Sequence, residues 1–244
     1  MNSHENKTSV KDLRASLAQR NEFICTASHE LKTPLAALML QMEMAKRAPS
    51  ITPEKMSRII DNTHKDVLRL KRLVDDMLDV SRIVSGKLSM EFETFQLDEF
   101  MQELIERLSP AFNQPGKIKL LLNAPVQVNW DRFRIEQVVS NLLTNAFRYG
   151  EGGSVEIETK CDGENVTLVV RDFGIGIAQE NLSKIFDLFE RGPHPTETTG
   201  LGLGLFICQE IINLHQGKIK VQSSPGLGST FTVDIPFHRL NNPV

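Results

Sequence analysis

Apolar residues recur at helical spacing over the first third of the chain. In residues 10–47 they return every three, four or seven positions, which is the period of one face of an α-helix. Residues 53–85 repeat the pattern after a turn at residues 48–53, with a heptad seam at Ile59, Thr63, Val67, Leu70, Val74, Met77 and Ser81. We therefore predict an all-α helical hairpin over residues 10–86, preceded by a disordered tail at residues 1–9.

The ends of the two predicted helices carry their own signals. Thr52 can cap the second helix with Pro53 at its first position, and Gly86 is a suitable stop. Pro34 removes one backbone hydrogen bond from the first helix, which predicts a kink there. The apolar stripe is too large for one hairpin to bury, so we predict that two hairpins pair as a four-helix bundle in a homodimer.

The pattern changes after residue 86. Residues 87–95 are predicted to be a linker with some strand character and the hinge between two domains, and residues 96–240 mix helices with mostly antiparallel strands. Asp98 and Asp131 are predicted to cap the first two helices of this second domain. The predicted helices cover residues 98–112, 131–147, a short stretch ending near 186, and 203–215, and the predicted strands cover residues 118–122, 154–160, 166–171, 218–222 and 230–235. This order indicates an α+β sandwich.

Composition narrows the class of protein. The 244 residues allow one large domain or two ordinary ones, and 40% hydrophobic with 24% charged residues are typical of a soluble globular protein. The formal net charge of −3 gives no long-range attraction to nucleic acid or to an anionic membrane. No apolar run reaches the roughly 20 residues that span a bilayer, and the polar N-terminus is not a signal peptide. The cysteines, Cys25, Cys161 and Cys208, are far apart, which fits a reducing cytoplasm better than a disulfide framework.

The first helical pattern contains a histidine beside a glutamate, His29 and Glu30. The imidazole can act as nucleophile, base or ligand near neutral pH, and the glutamate could accept its proton. Thr33 occupies the position where a His-Glu-x-x-His zinc site needs its second histidine. A single helical histidine is more often an ordinary surface or core residue, so the interpretation of His29 depends on the second domain.

Two polar segments of the second domain favour a nucleotide ligand. Asn141 and Asn145 are four residues apart and share one helix face, where amide oxygens suit Mg²⁺. Asp172, followed by Gly174 and Gly176, ends a predicted strand, and its carboxylate could accept a hydrogen bond from the exocyclic amine of adenine. Alone, the first segment could be two solvent-facing asparagines and the second an ordinary strand-to-turn junction.

Two glycine segments complete the set. Residues 200–204 alternate glycine and leucine before a predicted helix, and glycine N–H groups at a helix start form an anion cradle. The segment follows a long loop and lacks a Gly-Lys-Ser/Thr sequence, so it is neither a Rossmann fingerprint nor a Walker loop. Residues 225–230 could be a plain hairpin turn, and the polar stretch 190–199 suits a lid. Together the segments predict a metal held by the asparagines, a base contacted by Asp172, and phosphates held by the glycines.

In this order, the segments resemble the transmitter core of two-component sensor histidine kinases. The similarity covers about residues 10–238. Residues 28–35 resemble the family's phosphoacceptor box, residues 141–145 with Arg148 and Tyr149 its asparagine box, residues 172–176 its first glycine box, Phe186 with Phe189 its phenylalanine box, and residues 200–204 its second glycine box.

The resemblance implies an ATP-binding domain of the Bergerat type and a reaction at His29. His29 would attack the γ-phosphate of ATP with Glu30 as general base, and Thr33 would serve phosphatase activity. The implied nucleotide-binding residues are Asn141, Asn145, Arg148, Tyr149, Asp172, Gly174, Gly176, Phe189, Gly200, Leu201, Gly202, Leu203, Gly204 and Thr230, with Asn145 and Asn141 as ligands of Mg²⁺.

The resemblance also implies a partner, the receiver domain of a response regulator, whose aspartate would take the phosphoryl group from His29. No sensor, membrane span or receiver domain is recognisable, so the chain is predicted to be a cytoplasmic kinase or the excised core of a larger sensor. Two alternatives remain open. One is an ATP-binding dimeric scaffold, a pseudokinase without phosphotransfer; the other is an ATPase switch or serine kinase of the same superfamily. Intact His29, Glu30 and Asn145 count against the first, and the histidine-bearing hairpin against the second.

Overall fold

The computed structural model describes residues 2–47, 52–112, 117–190 and 201–236, with side chains described from Ile24 onward except at residues 47, 111 and 112. The chain divides into two compact units. The first holds the residues up to Ser81 together with Leu201–Leu203, and the second begins at Arg82 and holds the remainder. The division falls inside the second long helix.

The first unit is a helical hairpin. Helix α1 spans Asn2–Arg47 and helix α2 spans Pro53–Val84. The predicted disordered tail at residues 1–9 is therefore wrong for residues 2–9, which belong to α1. These residues are polar but contain neither glycine nor proline, so nothing in them stops a helix that the following residues propagate. The turn at residues 48–51 lies outside the described residues.

The predicted signals at the ends of α2 are confirmed. The Lys55 N–H donates to Thr52 Oγ1 at 3.4 Å, and Pro53 is the first helical residue. At the other end Gly86 has a φ of +65°, and the Lys87 N–H donates to the Arg82 carbonyl at 2.8 Å. This is the left-handed glycine termination expected of a helix C-terminus. Helix α1 continues through a buried Pro34, and its kink stays a prediction.

The hairpin leaves much of its apolar surface uncovered. Val67 and Val74, both in the predicted seam, remain 48% and 40% exposed. The other large exposed apolar side chains of the hairpin are Ile24, Leu35, Met39, Leu40, Met42 and Met44 on α1, and Ile60, Leu68, Leu78 and Val84 on the α2 helix. A single hairpin thus buries only part of its stripe, as the dimer prediction requires. Among the described residues, no helix is both long and apolar enough to cross a membrane.

The second unit is a layer of helices on a mixed β-sheet. Its five-stranded sheet has the order β2-β4-β5-β7-β6, with only the β2–β4 pair parallel. The strands are β1 Glu93–Gln96, β2 Ile118–Asn123, β3 Gln127–Trp130, β4 Val155–Cys161, β5 Asn165–Asp172, β6 Lys218–Ser223 and β7 Ser229–Pro236. The helices are α3 Leu97–Leu108, α4 Arg132–Tyr149 and α5 Gly204–Leu214, with 3₁₀ turns at Ser109–Phe112 and Gln179–Asn181. The predicted α+β architecture is confirmed.

The core lies between the helices and one face of the sheet. Every second residue of β5 and β7 is buried, including Val170 and Val233. Helices α4 and α5 pack on each other, and their apolar sides are fully buried at residues such as Leu142 and Ile211. This packing fixes the C-terminal part of α4 beside the end of β5, where the predicted site residues lie.

Three details of the predicted second domain are corrected. Asp98 does not cap α3; Gln96 holds the cap position, and Asp98 accepts hydrogen bonds from the Ala124 N–H at 3.0 Å and from Thr159 Oγ1 at 2.8 Å. Strand β3 was not predicted, because four residues are too few to show a period, and β1 begins within the linker, for which only some strand character was predicted. The predicted short helix ending near residue 186 is a 3₁₀ turn followed by further turns, since so short a segment does not nucleate an α-helix. The Asp131 cap is confirmed by a 3.0 Å hydrogen bond from the Arg134 N–H.

Candidate active site

The second unit holds one buried carboxylate at the end of a central strand. Asp172 is the last residue of β5 and is only 4% exposed. Its Oδ1 accepts hydrogen bonds from the Gly174 N–H at 3.0 Å and from the Ser229 N–H at 3.3 Å. Burial raises the pKa of Asp172, while these two hydrogen bonds oppose the rise. The Ser229 side chain adds a further hydrogen bond to this carboxylate, and neither of the two backbone bonds goes to Oδ2.

Glycines bring backbone segments unusually close to this carboxylate. A Cβ added to Gly174 would lie 1.9 Å from the Tyr149 carbonyl, and one added to Gly228 would lie 2.1 Å from the Asp172 carbonyl. Gly176 and Gly228 also have φ values of +67° and +80°, which glycine adopts without strain. The loop after β5 is therefore seated against the end of α4 and the start of β7, and only glycine permits that contact.

Helix α4 supplies two amides on one face. The Asn141 Nδ2 donates to the Gly204 carbonyl at 3.3 Å, which ties this face to the first residue of α5. Asn145 follows one turn later, is half-buried, and has no hydrogen bond through its side chain within the described part of the chain. The Ile175 N–H donates to the Tyr149 carbonyl at 3.1 Å, so the end of α4 also holds the glycine loop. Helix α4 thus contacts the start of α5 through Asn141 and the glycine loop through Tyr149.

The donor set fits a hard cation with few protein ligands. Asn141 Oδ1 and the Asn145 amide oxygen are uncharged oxygen donors four residues apart. Within the described ranges no three histidine, cysteine, aspartate or glutamate residues are grouped so that they could hold a metal. A cation bound here would take its other ligands from water and from phosphate, as Mg²⁺ commonly does.

Four of the remaining predicted contact residues belong to the described part of the second unit. Arg148 is exposed and Tyr149 half-buried at the end of α4. Thr230 follows Ser229 on β7 and pairs with Arg171 on β5. Phe189 has a φ of +71°. Gly200 and residues 191–199 of the predicted lid lie outside the described residues.

Leu201, Gly202 and Leu203 are grouped with the first unit. Both leucines are 2% exposed, and Gly202 has a φ of +69°.

The first unit presents the histidine. His29 is exposed on α1, whereas the adjacent Glu30 is 8% exposed. Thr33 Oγ1 donates to the His29 carbonyl at 3.3 Å, and Ser28 Oγ donates to the Ile24 carbonyl at 2.7 Å. These hydroxyls are bonded within their own helix, whereas the imidazole of His29 is exposed.

Comparison with known proteins agrees with this geometry. Residues 130–239 match the family model of histidine kinase-, DNA gyrase B- and HSP90-like ATPases, and residues 19–86 match the His kinase A phosphoacceptor domain. The sensor histidine kinase RcsC of Salmonella typhimurium is 32% identical over 230 residues, which cover 92% of this chain and 24% of RcsC. The solved catalytic domain of the histidine kinase ThkA is 33% identical, with a TM-score of 0.52 over 61% of this chain and 97% of that chain.

The chain belongs to the sensor histidine kinases. It contains the two domains of their transmitter core and spans about a quarter of the length of RcsC. A further solved structure, ThkA in complex with the response regulator TrrA, is 25% identical with a TM-score of 0.66, covering 96% of this chain and 66% of that chain. Members of the family are protein-histidine kinases, and the ATPase family model supports the use of ATP.

Sequence reasoning assigned no role to the residues that hold Asp172 through their backbone. Ser229 and Gly228 hold Asp172 from the start of β7. Gly150 is also required, since a Cβ there would lie 2.3 Å from the Ala146 carbonyl. The glycine pair at 226 and 228 was the available signal, but a hairpin turn explains it equally well. Only the antiparallel pairing of β5 with β7 shows that this turn faces Asp172.

Proposed function

We propose that the chain uses ATP to phosphorylate His29 and then passes the phosphoryl group to an aspartate of a response regulator. One observation carries this proposal: a buried Asp172 is held by glycine and serine N–H groups in the same chain that exposes a histidine on a helical hairpin. The first feature suits an adenine nucleotide and the second suits a nucleophile. Phosphoryl transfer needs positioning and charge neutralisation more than covalent chemistry by the protein.

In this proposal most of the nucleotide contacts come from the second unit. Asp172 Oδ2 accepts the exocyclic amine of adenine, because Oδ1 is already engaged. Asn145 and Asn141 hold Mg²⁺, which would neutralise phosphate charge. The contact set of Arg148, Tyr149, Gly174, Gly176, Phe189, Gly200, Leu201, Gly202, Leu203, Gly204 and Thr230 would flank the base, ribose and phosphates.

The first unit supplies the acceptor. His29 is exposed, so it can be approached in line by a γ-phosphate carried on the second unit. Glu30 would take the proton from the imidazole during attack. Thr33, whose hydroxyl is held one turn after His29, would orient water for removal of the phosphoryl group from the regulator.

The assembly and partner follow from the same features. The uncovered apolar stripe of the hairpin supports a homodimer through a four-helix bundle. A response-regulator receiver domain is the proposed partner, since ThkA, which shares the fold, binds a response regulator. We place the domain boundary at the end of α2, with residues 10–86 as the phosphoacceptor domain, residues 87–95 as the linker and residues 96–240 as the ATP-binding domain.

The test is incubation with γ-labelled ATP and Mg²⁺. His29→Gln is compared with His64→Gln, a matched control because His64 is also exposed on a hairpin helix. The expected label is acid-labile and alkali-stable, is absent from His29→Gln and is unchanged in His64→Gln. Added receiver domain should then remove the label from the chain.

Three results would contradict parts of this proposal. ATP binding without label would favour the dimeric scaffold. Label that persists in His29→Gln would assign another acceptor. Acid-stable label would indicate a hydroxyl acceptor and hence a serine-kinase chemistry.

A further inference from the structure

The segment that follows α2 is fastened to the nucleotide-binding helix by one aspartate. Asp131 is 4% exposed and caps α4 through Oδ1, which accepts the Arg134 N–H at 3.0 Å. Its other oxygen, Oδ2, accepts the Glu91 N–H at 2.7 Å. One carboxylate therefore holds both the first turn of α4 and a residue of the predicted linker.

A buried histidine supports this aspartate from α5. His215 is 6% exposed, and its Nε2 lies 3.0 Å from the Asp131 nitrogen, which donates to it. Its Nδ1 lies 2.8 Å from the Ile211 carbonyl, an acceptor. Nδ1 must therefore carry the proton while Nε2 accepts, so the imidazole is neutral in this arrangement. The ring of Phe92, the residue after Glu91, meets the His215 ring edge-on at 5.4 Å.

These contacts shorten the free part of the linker. On the α2 side, the Lys87 N–H is bonded to the Arg82 carbonyl. The next backbone hydrogen bond that the described residues form along the chain is that of Glu91. Only residues 88–90 lie between these two fixed points, instead of the nine residues predicted from sequence. The four Cα–Cα steps from residue 87 to residue 91 reach about 14 Å when extended. If Glu91 and Phe92 were released, the free chain would run six steps, from residue 87 to the start of β1, and would reach about 21 Å.

We propose that Asp131 and His215 are positioning residues that set the length of the tether between the phosphoacceptor hairpin and the ATP-binding domain, by fastening Glu91 and Phe92 to the start of α4. This inference rests on the proposed function, because it assigns the two residues to the step in which ATP is brought to His29. Neither residue lies in the predicted nucleotide contact set. Their loss should therefore slow transfer to His29 without weakening nucleotide binding.

The expected effect follows from the tether lengths. The effective concentration of one tethered group near another falls roughly as the −3/2 power of tether length, so a tether of six steps instead of four lowers it about twofold. Loss of the fixed orientation at Glu91 adds to this, because misaligned encounters do not react. We expect a fall of about two- to tenfold in the autophosphorylation rate constant.

The variant Asp131→Ser separates the two roles of the carboxylate. Serine is a good N-cap and retains the bond to the Arg134 N–H, but its single short hydroxyl does not also reach Glu91. Asp131→Ala removes both bonds and serves as the comparison. Asp162→Ser is the matched control, because Asp162 Oδ1 also accepts two backbone N–H groups, from Glu164 and Asn165, in an exposed turn.

Three quantities are measured on the full chain: the autophosphorylation rate constant at saturating ATP, the dissociation constant for ATP, and hydrogen exchange at the Glu91 amide. In Asp131→Ser we expect faster exchange at Glu91, a rate constant two- to tenfold lower and ATP affinity within about twofold of the parent chain. Asp162→Ser should change none of these.

Several outcomes would overturn the inference. Unchanged exchange at Glu91 in Asp131→Ser would show that the aspartate does not fasten the linker. Faster exchange with an unchanged rate constant would show that the fastening does not set transfer. If the autophosphorylation rate constant of Asp131→Ser fell only in proportion to its ATP affinity, the role of Asp131 would be merely structural. Failure of the proposed function is distinct, since the parent chain itself would then carry no label on His29.

Discussion

Replacing Asp172 with asparagine should abolish tight ATP binding while leaving the fold intact. The two oxygens of this carboxylate have different partners. Oδ1 accepts from Gly174 and Ser229, and an asparagine amide oxygen can take over both bonds. The Nδ2 group then stands where Oδ2 stood and meets the adenine amine donor to donor. A hydrogen bond to a charged group contributes about 1.5–3 kcal/mol, so the dissociation constant for ATP should rise roughly 10- to 150-fold.

Asp172→Ala provides the comparison for stability. It leaves the Gly174 and Ser229 N–H groups without their acceptor, at a cost of about 1–3 kcal/mol each where they are buried. Asp172→Asn should therefore unfold at nearly the parent midpoint in urea, whereas Asp172→Ala should unfold clearly earlier. Binding is measured by calorimetric titration with ATP and Mg²⁺. Inosine triphosphate is the second ligand, because its exocyclic 6-oxo oxygen accepts a hydrogen bond where the adenine amine donates one, and Asp172→Asn should bind it better than ATP.

The reasoning would be refuted by either of two results. If Asp172→Asn binds ATP as tightly as the parent chain, Oδ2 does not contact the adenine amine. If Asp172→Asn is as unstable as Asp172→Ala, the amide does not replace Oδ1, and the lost binding would reflect damage to the fold.

Three further predictions concern stability. Burial raises the pKa of Asp76 from 3.8 to about 6, against an opposing effect of Arg72. The folded hairpin therefore binds this proton more tightly than the unfolded chain does. The resulting contribution to the free energy of unfolding, at most about 3 kcal/mol, is fully present below pH 3.8 and is lost as the pH rises through 6. Urea unfolding is measured below and above pH 6, and the difference in free energy of unfolding between the two should be smaller in Asp76→Asn than in the parent chain. Gly228→Ala should destabilise far more than Gly226→Ala and should lower ATP affinity, because both glycines have positive φ but only at Gly228 would the Cβ meet backbone, 2.1 Å from the Asp172 carbonyl. His215→Leu should cost about 1–3 kcal/mol in urea unfolding by leaving the Asp131 N–H unpaired, and His215→Gln less.

Local signals were sufficient where a residue's partner is near it in sequence. The Thr52 cap, the Gly86 termination and the Asp131 cap each bond a backbone group within a few residues, so residue type and position alone predict them. The same holds for the spacing of Asn141 and Asn145, which share a face because four residues make about one helical turn. These signals predicted most elements and the helix face that carries the two asparagines.

Non-local partners were beyond the reach of the sequence. Asp98 is a residue type that often caps helices, yet its side chain accepts a hydrogen bond from Thr159. The two residues meet only because α3 lies beside β2 and β2 pairs with β4. The bond between Asp172 and the Ser229 N–H is equally hidden. Every residue except proline has a backbone N–H, so the identity of the donor cannot be predicted from residue type. The pairing of β5 with β7 creates the contact.

Asp131 shows how one residue can satisfy a local rule and also hold a long-range bond. Capping of α4 is enough to explain why an aspartate occupies position 131, so the sequence gives no indication of a second role for its side chain. The second oxygen, however, binds Glu91, forty positions earlier in the chain. In the proposed function ATP and His29 are carried on different units, so the transfer rate would depend on the chain between them as well as on either site. A substitution that preserves the cap and releases Glu91 therefore tests the control of transfer in a way that substitutions at Asp172 or His29, which remove binding or the acceptor itself, do not.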